Sequence, residues 1–434
     1  MKKKHKLMVL SIDAMFDSDL AFAEKLPNFG RWLSHSSRAC GGMRGIYPAL
    51  TYPSHVTMIT GTYPERHGIF HNEVLAPEEK EADWHWYRSE IQVPTLLDAA
   101  HDAGYSTACL GWPCMGADPA ADWNIPEIWP KRGKNNLDEI LQKSASASVL
   151  GDRGVLTRYR HIYEKLGRFF VDEAMVSCAC DLIREEQPDV MCMHVAYLDY
   201  VRHGHGLYGP AVEEALMFHD DWFGRLLRTM EQAGTLEETN IALVSDHGHL
   251  PVERLFCPNV LLQEAGLIQT DESGRVTDWK AFCNSAALSA QVHLKDPEDT
   301  DTRNRVESVL EQILKEDAYG VEAIFTKAEA EREQHLSGNF SYVLEGGSKT
   351  AFGNAAAGKS LYQAGEEDYR YVCSSHGHLP YKGPQPLFVM KGPDIRQDVW
   401  ADRGRLIDEA PTLAALLGTE LPTAQGRCME EFLC

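Results

Sequence analysis

The sequence predicts an α/β fold: a mostly parallel central sheet with helices on both faces and a small α+β insertion. Three features carry that expectation. Short apolar runs rich in β-branched residues recur along the chain, and longer segments with apolar residues at helical spacing separate them. Three of the runs are followed by an aspartate: Asp13, Asp199 and Asp246. Continuous apolar runs of this length suit strands buried on both faces, and strands that alternate with helices suit a parallel sheet.

The first strand is expected at residues 7–13, LMVLSID. The preceding MKKKHK is basic like the start of a leader, but the apolar run after it is short, is broken by Asp13 and meets no small-residue cleavage site. Next comes YPALTYPSHV, with Thr51 wedged between two prolines ahead of a helical run. Thr51 is either a cap or a group held there to react. A helix is expected over 93–104, ending on Gly104, then a strand over 105–111. Residues 112–158, rich in Pro, Gly and Trp, read as an inserted loop region. A long helix (160–188), a strand (189–199), a helix ending in glycine (210–234) and a strand (240–246) come after it. Residues 266–365 read as an inserted α+β subdomain, with a strand at 286–294 and a helix at 303–316. The core, residues 1–265 and 366–434, resumes with a strand at 385–392 and a helix at 408–418.

Composition narrows the function. The 434 residues are 44% hydrophobic and 24% charged, enough for a substantial core. With 42 Lys+Arg against 64 Asp+Glu the formal charge is −22, which repels long polyanions and leaves a small phosphorylated ligand as the expected partner rather than extended nucleic acid. No apolar stretch approaches the ~20 residues that cross a bilayer, so no membrane association is expected. The eleven cysteines are odd in number and scattered, a pattern that fits free thiols in a reducing cytoplasm. No C-x-x-C is present, which removes a structural zinc finger.

In an open α/β sheet ligands bind outside the carboxyl ends of the strands. Three aspartates converging there would repel one another and raise each other's pKa, and a cation is the ordinary remedy. The histidines agree with this. Asp199 and His203 stand four apart, Asp246 and His247 are adjacent, and SSHGHLP supplies His376. Mixed imidazole and carboxylate ligation suits zinc, with manganese or iron as substitutes, and two such ions sharing a hydroxyl form a site for in-line displacement at phosphorus. Singly, a strand-end Asp often caps a helix and a lone His satisfies a loop. The joint pattern carries the metal reading.

The ordered set SIDAM (Asp13), TYPSH (Thr51), HGIFHN (Asn72), DYVRHGHG (Asp199, His203), SDHGH (Asp246, His247) and SHGH (His376) resembles the alkaline phosphatase superfamily, and within it the nucleotide pyrophosphatase/phosphodiesterase branch. The resemblance implies two divalent ions. Asp13, Asp246, His247 and the Thr51 oxygen would hold one; Asp199, His203 and His376 would hold the other. It further implies attack by Thr51 on phosphorus, then hydrolysis of the phosphothreonine, with Asn72 donating to a non-bridging oxygen. A neutral donor suits a phosphodiester, whereas a monoester dianion is better served by Arg or Lys. Thr51 and His55 occupy the slots where the superfamily's sulfatases carry Cys or Ser and an Arg. His205, His249 and His378 stand beyond the matched ligands, where the animal relatives carry other residues, as supporting groups or alternative ligands. The expected function is therefore a two-metal hydrolase of phosphodiester or pyrophosphate bonds in small, nucleotide-type substrates. A C–P bond hydrolase resembling phosphonoacetate hydrolase is the alternative, with a phosphomonoesterase or a non-catalytic binding domain behind it. Trp84, Trp86, Tyr87, Trp112, Trp123 and Trp129 either stack on a planar part of the substrate or pack under the loops.

Overall fold

The expected first strand is the middle of the sheet. A computed structural model describes residues 5–131, 133–347 and 349–434, so the basic start read against a leader, residues 1–4, lies outside the described residues. The central strands are β1 (Lys6–Ile12), β2 (Ser37–Ala39), β3 (Thr107–Leu110), β4 (Trp123–Ile125), β5 (Val190–Val195) and β6 (Thr239–Val244). A smaller sheet holds β7 (Ala281–Ala286), β8 (Ser289–Leu294), β9 (Val321–Thr326) and β10 (Tyr342–Gly346). The chain then returns to the central sheet as β11 (Phe388–Lys391) and β12 (Trp400–Ala401).

The central order is β12-β2-β11-β6-β1-β5-β3-β4, with β11 antiparallel to both its neighbours and every other pair parallel. All residues of β5 and β6 are buried, as are all of β1 after Lys6, which is why these strands read as unbroken apolar runs. Ser11 of β1 pairs with both His194 of β5 and Val244 of β6. The three strands therefore end level, and the segment after each leaves from one edge.

Helices cover both faces. Helices α1 (Thr51–Thr60), α2 (Leu96–Asp102) and α8 (Glu409–Leu416) pack together. A second layer comprises α3 (Val155–Tyr163), α4 (Arg168–Glu185), α5 (Tyr197–His205) and α6 (Pro210–Ala233). Helix α7 (Thr300–Lys315) belongs to the smaller sheet, where Val306, Leu310 and Ile313 join Phe282, Val292 and Leu344 in a separate hydrophobic cluster.

Several boundaries differ from expectation for identifiable reasons. The strand expected to reach residue 199 stops at Val195, because Asp172 of α4 accepts the Ala196 and Tyr197 N–H groups (2.8 and 2.7 Å) and starts α5 there. The helix expected over 160–188 is two helices, with Leu166 at φ +52° in the reversal between them. Residues 112–158, expected as loop, supply β4 at the sheet edge and further helices whose Leu137, Ile140 and Val149 are buried. The strand expected at 286–294 spans the β7–β8 hairpin turn at Ala287 (φ +61°), which an apolar run of small residues conceals.

Helix α5 is held from beneath. Arg202 is fully buried, pairs with Asp19, and lies 3.7 Å from the Phe16 ring centre. Asp19 also accepts the Phe16 N–H at 2.7 Å. Removing one partner of a buried pair strands the other charge. Asp19→Ala is therefore expected to lower the unfolding free energy by about 3–5 kcal/mol in urea denaturation; a change below about 1 kcal/mol would show that Arg202 is not anchored by this contact.

Candidate metal centre and nucleophile

Asp13 is the first residue beyond β1, and its N–H donates to Val195 O at 2.9 Å. Asp246 lies two residues beyond β6, and its Oδ1 accepts the Ala14 N–H at 3.1 Å. Both carboxylates are buried, 2% and 0% exposed. His247 Nε2 sits 3.1 Å from Asp246 Oδ2, 3.4 Å from Asp13 Oδ1 and 3.1 Å from Thr51 Oγ1. Asp13 Oδ1 and Asp246 Oδ2 have no hydrogen-bond partner among the described residues. Burial pushes both carboxyls well above the usual range, with Asp199 adding to Asp13 and Asp13 adding to Asp246. Burial, with His376 beside it, pushes His247 well down. Two desolvated carboxylates and one neutral imidazole, with free oxygens turned toward one another, fit a divalent cation.

A second group lies alongside. Asp199 is in the first turn of α5 and His203 one turn on, with His203 Nε2 3.4 Å from Asp199 Oδ2. His376 Nε2 is 3.8 Å from Asp199 Oδ1. A carbonyl only accepts, so His203 Nδ1–H donates to Ser374 O (2.9 Å) and His376 Nδ1–H to Ala49 O (3.1 Å). Both rings thus turn their Nε2 lone pairs toward Asp199, the arrangement by which ligating histidines are oriented. The His247 and His376 rings stack with centres 3.8 Å apart, which puts the two groups side by side.

Thr51 does not cap α1. Leu50 holds the cap position without a side-chain bond, Thr51 is the first helical residue, and its hydroxyl faces His247. The next N–H, of Tyr52, donates to Asn72 Oδ1 at 3.0 Å, which leaves the Asn72 amide nitrogen free to donate. Asn72, Trp84, His203 and His376 help line an open cavity of ≈ 360 Å³, and neither Lys nor Arg is among its described lining residues. Of the six aromatic residues in question only Trp84 lines it. Trp84 itself packs edge-on against Tyr52 and Trp129, Trp86 packs on Trp129, and buried Trp112 packs on His55.

Sequence reasoning missed His194. It sits on β5 with Nε2 3.2 Å from Asp13 Oδ2 and Nδ1 3.0 Å from Gly111 O, and its only signal was a polar residue inside an apolar run. The three histidines left open separate cleanly. His205 is exposed, buried His378 donates from Nε2 to Lys382 O (3.1 Å), and His249 enters the site with Nε2 2.7 Å from Asp199 Oδ1.

The family model described as type I phosphodiesterase/nucleotide pyrophosphatase matches residues 7–359. Ectonucleotide pyrophosphatase/phosphodiesterase family member 3 of Bos taurus is 25% identical over 225 residues, 50% of this chain and 21% of that protein. The Mus musculus member 3 is 26% identical over 250 residues, covering 54% and 24% respectively. The venom phosphodiesterase of Macrovipera lebetinus is 26% identical over 215 residues, covering 50% and 22%. The matched region thus spans less than a quarter of the length of these relatives. Among solved structures, murine ectonucleotide pyrophosphatase/phosphodiesterase 5 superposes with a TM-score of 0.68 at 16% identity, over 99% of this chain and 100% of that one.

Gly377 separates His376 from His378 at φ +92°, and a Cβ there would lie 1.9 Å from Ala286 O. Gly377→Ala is expected to destabilise the fold by at least about 1–3 kcal/mol and to weaken metal retention, measured by thermal unfolding and metal content; an unchanged Tm would refute the close approach. Proton linkage supplies a second expectation. Asp13 and Asp246 keep protons in the metal-free fold at pH values where the unfolded chain has lost them. That contribution to stability is present at low pH and lost as pH rises through the raised pKa values. A bound cation replaces those protons, so the rise in Tm on adding a divalent ion should be larger at pH 8 than at pH 6, as read by calorimetry. A smaller rise at pH 8 would contradict this.

Proposed function

The chain belongs to the type I phosphodiesterase/nucleotide pyrophosphatase family, a branch of the alkaline phosphatase superfamily, and from that membership we propose that it hydrolyses phosphodiester or pyrophosphate bonds of small substrates through attack by Thr51. The observation that carries the reading is the placement of the Thr51 hydroxyl. It stands 3.1 Å from His247 at the start of α1, with the Asn72 amide anchored one residue further on.

Asp13, Asp246, His247 and the Thr51 oxygen would hold one divalent ion, and Asp199, His203 and His376 the other. Bound there, the ions supply neutralisation of the three carboxylates, a stabilised threonine alkoxide and charge compensation for the phosphoryl oxygens. Zinc is the ion this set of imidazoles and carboxylates favours, with manganese or iron as substitutes.

The protein's own groups do the rest. Thr51 attacks phosphorus, an alcohol or phosphate leaves, and water then hydrolyses the phosphothreonine and restores the hydroxyl. The positive end of the α1 dipole favours negative charge on the Thr51 oxygen. Asn72 donates from Nδ2 to a non-bridging oxygen. A neutral donor in a cavity with neither Lys nor Arg among its described lining residues suits the single charge of a diester better than a monoester dianion. A nucleotide-type substrate is supported by the relatives' names, by the AMP complex of an inactive variant of the murine member 5 structure, and by Trp84 as an aromatic face in the cavity. All eleven cysteines are free thiols, which supports a reducing compartment such as the cytoplasm. No helix among the described residues is long and apolar enough to cross a membrane.

Turnover of bis-p-nitrophenyl phosphate is expected to exceed that of p-nitrophenyl phosphate and to stop on chelation. Thr51→Ala should abolish turnover with metal content retained, and Asn72→Ala should lower kcat by about 10²–10³-fold. Full activity in Thr51→Ala would remove Thr51 from the chemistry, and a preference for phosphonoacetate would move the assignment to C–P bond hydrolysis.

A further inference from the structure

His249 lies outside the ligand pattern that the family motifs supply, yet it is fully buried in the middle of the site. Its ring centre is 4.8 Å from that of His203, 5.2 Å from His376 and 5.8 Å from His247. With Ser374 Oγ donating its single proton to Arg202 O (2.7 Å), it accepts at 3.0 Å from His249 Nδ1–H, the tautomer that ligation through Nε2 requires. In the neutral ring Nε2 then bears a lone pair, and that lone pair points at Asp199 Oδ1 from 2.7 Å. Two lone pairs at this separation repel unless positive charge lies against both. His203 and His376 repeat the arrangement, each with Nδ1–H on a carbonyl and Nε2 toward the same carboxylate. Asp199, His247, His249 and His376 each offer a ligand atom within 4.8 Å of the others.

We propose that His249 is a direct ligand of the ion held at Asp199, which thereby has one carboxylate and three imidazoles (His203, His249 and His376) where the family pattern supplies two imidazoles. Four protein donors are one more than a catalytic zinc ordinarily takes, so substrate would bind there by expansion to five-coordination. A nitrogen-rich set also favours zinc over manganese, so the two ions of this chain are unequal in affinity and in metal preference. Ser374 has the matching role of fixing two of these rings, one through its carbonyl and one through its hydroxyl.

The inference rests on the two-ion reading of the site, and the experiment separates the two. Cobalt is loaded into the whole protein, and stoichiometry and hyperfine-shifted exchangeable imidazole N–H proton signals are recorded. Wild type is expected to take up two ions and to show four such signals, from His203, His247, His249 and His376. His249→Met should lose one signal and hold one of its two ions about 10–100-fold more weakly in chelator competition, with the other unchanged. Three signals in wild type with two ions bound would overturn the role of His249 and leave the two-ion reading standing; this count needs no variant to fold. Failure of wild type to bind two ions would overturn both.

Discussion

Three carboxylates that must share one dry edge of a sheet dominate this molecule. Asp13, Asp199 and Asp246 are brought together because β1, β5 and β6 end level, and their mutual repulsion grows as water is excluded. Neither solvation nor hydrogen bonding relieves it fully, since one oxygen each on Asp13 and Asp246 stays unpartnered among the described residues. The surrounding imidazoles are themselves buried and turn lone pairs inward. Such an arrangement favours cations and disfavours its own empty state. The expected pH response of the fold derives from that imbalance.

The scaffold spends much of its structure on holding this edge. Asp172 starts α5, and the Arg202–Asp19 pair fixes its underside, so Asp199 and His203 are placed from two directions. The His376 loop is clasped to the segment before Thr51, with both His376 Nδ1–H and the Gly377 N–H donating to Ala49 O. From the other side the β7–β8 turn grips the same loop, through Leu288 N–H to His376 O (2.9 Å) and Ser289 Oγ to Gly377 O (2.6 Å). The smaller sheet therefore braces the loop that carries His376.

Legibility along the sequence depends on where information is local. Parallel strands buried on both faces leave unbroken apolar runs, so β1, β5 and β6 were legible, and so were helices with clear stops such as α6, which ends at Gly234. The acid and imidazole residues were legible because each sits directly after such a run or in a short repeated His-Gly-His pattern. The end of β5 was not, because it is set by Asp172 from another helix. The β7–β8 turn hid inside a run of small apolar residues. His194 gains its significance only from its contact with distant Asp13, and His249, which the sequence offers beside His205 and His378, is told apart from them only by its contacts with Asp199 and Ser374. No spacing rule along the chain encodes those.

The order in which these groups occur along the chain has a consequence for synthesis. Thr51 and five of the acid and imidazole groups are translated by residue 247, but His376 arrives well over a hundred residues later, behind the sheet that braces its loop. A nascent chain thus carries the crowded carboxylates long before His376 can join them. The loop that carries His376 is clasped against Ala49 and the β7–β8 turn only once the ribosome has passed it, so this edge of the central sheet is completed late.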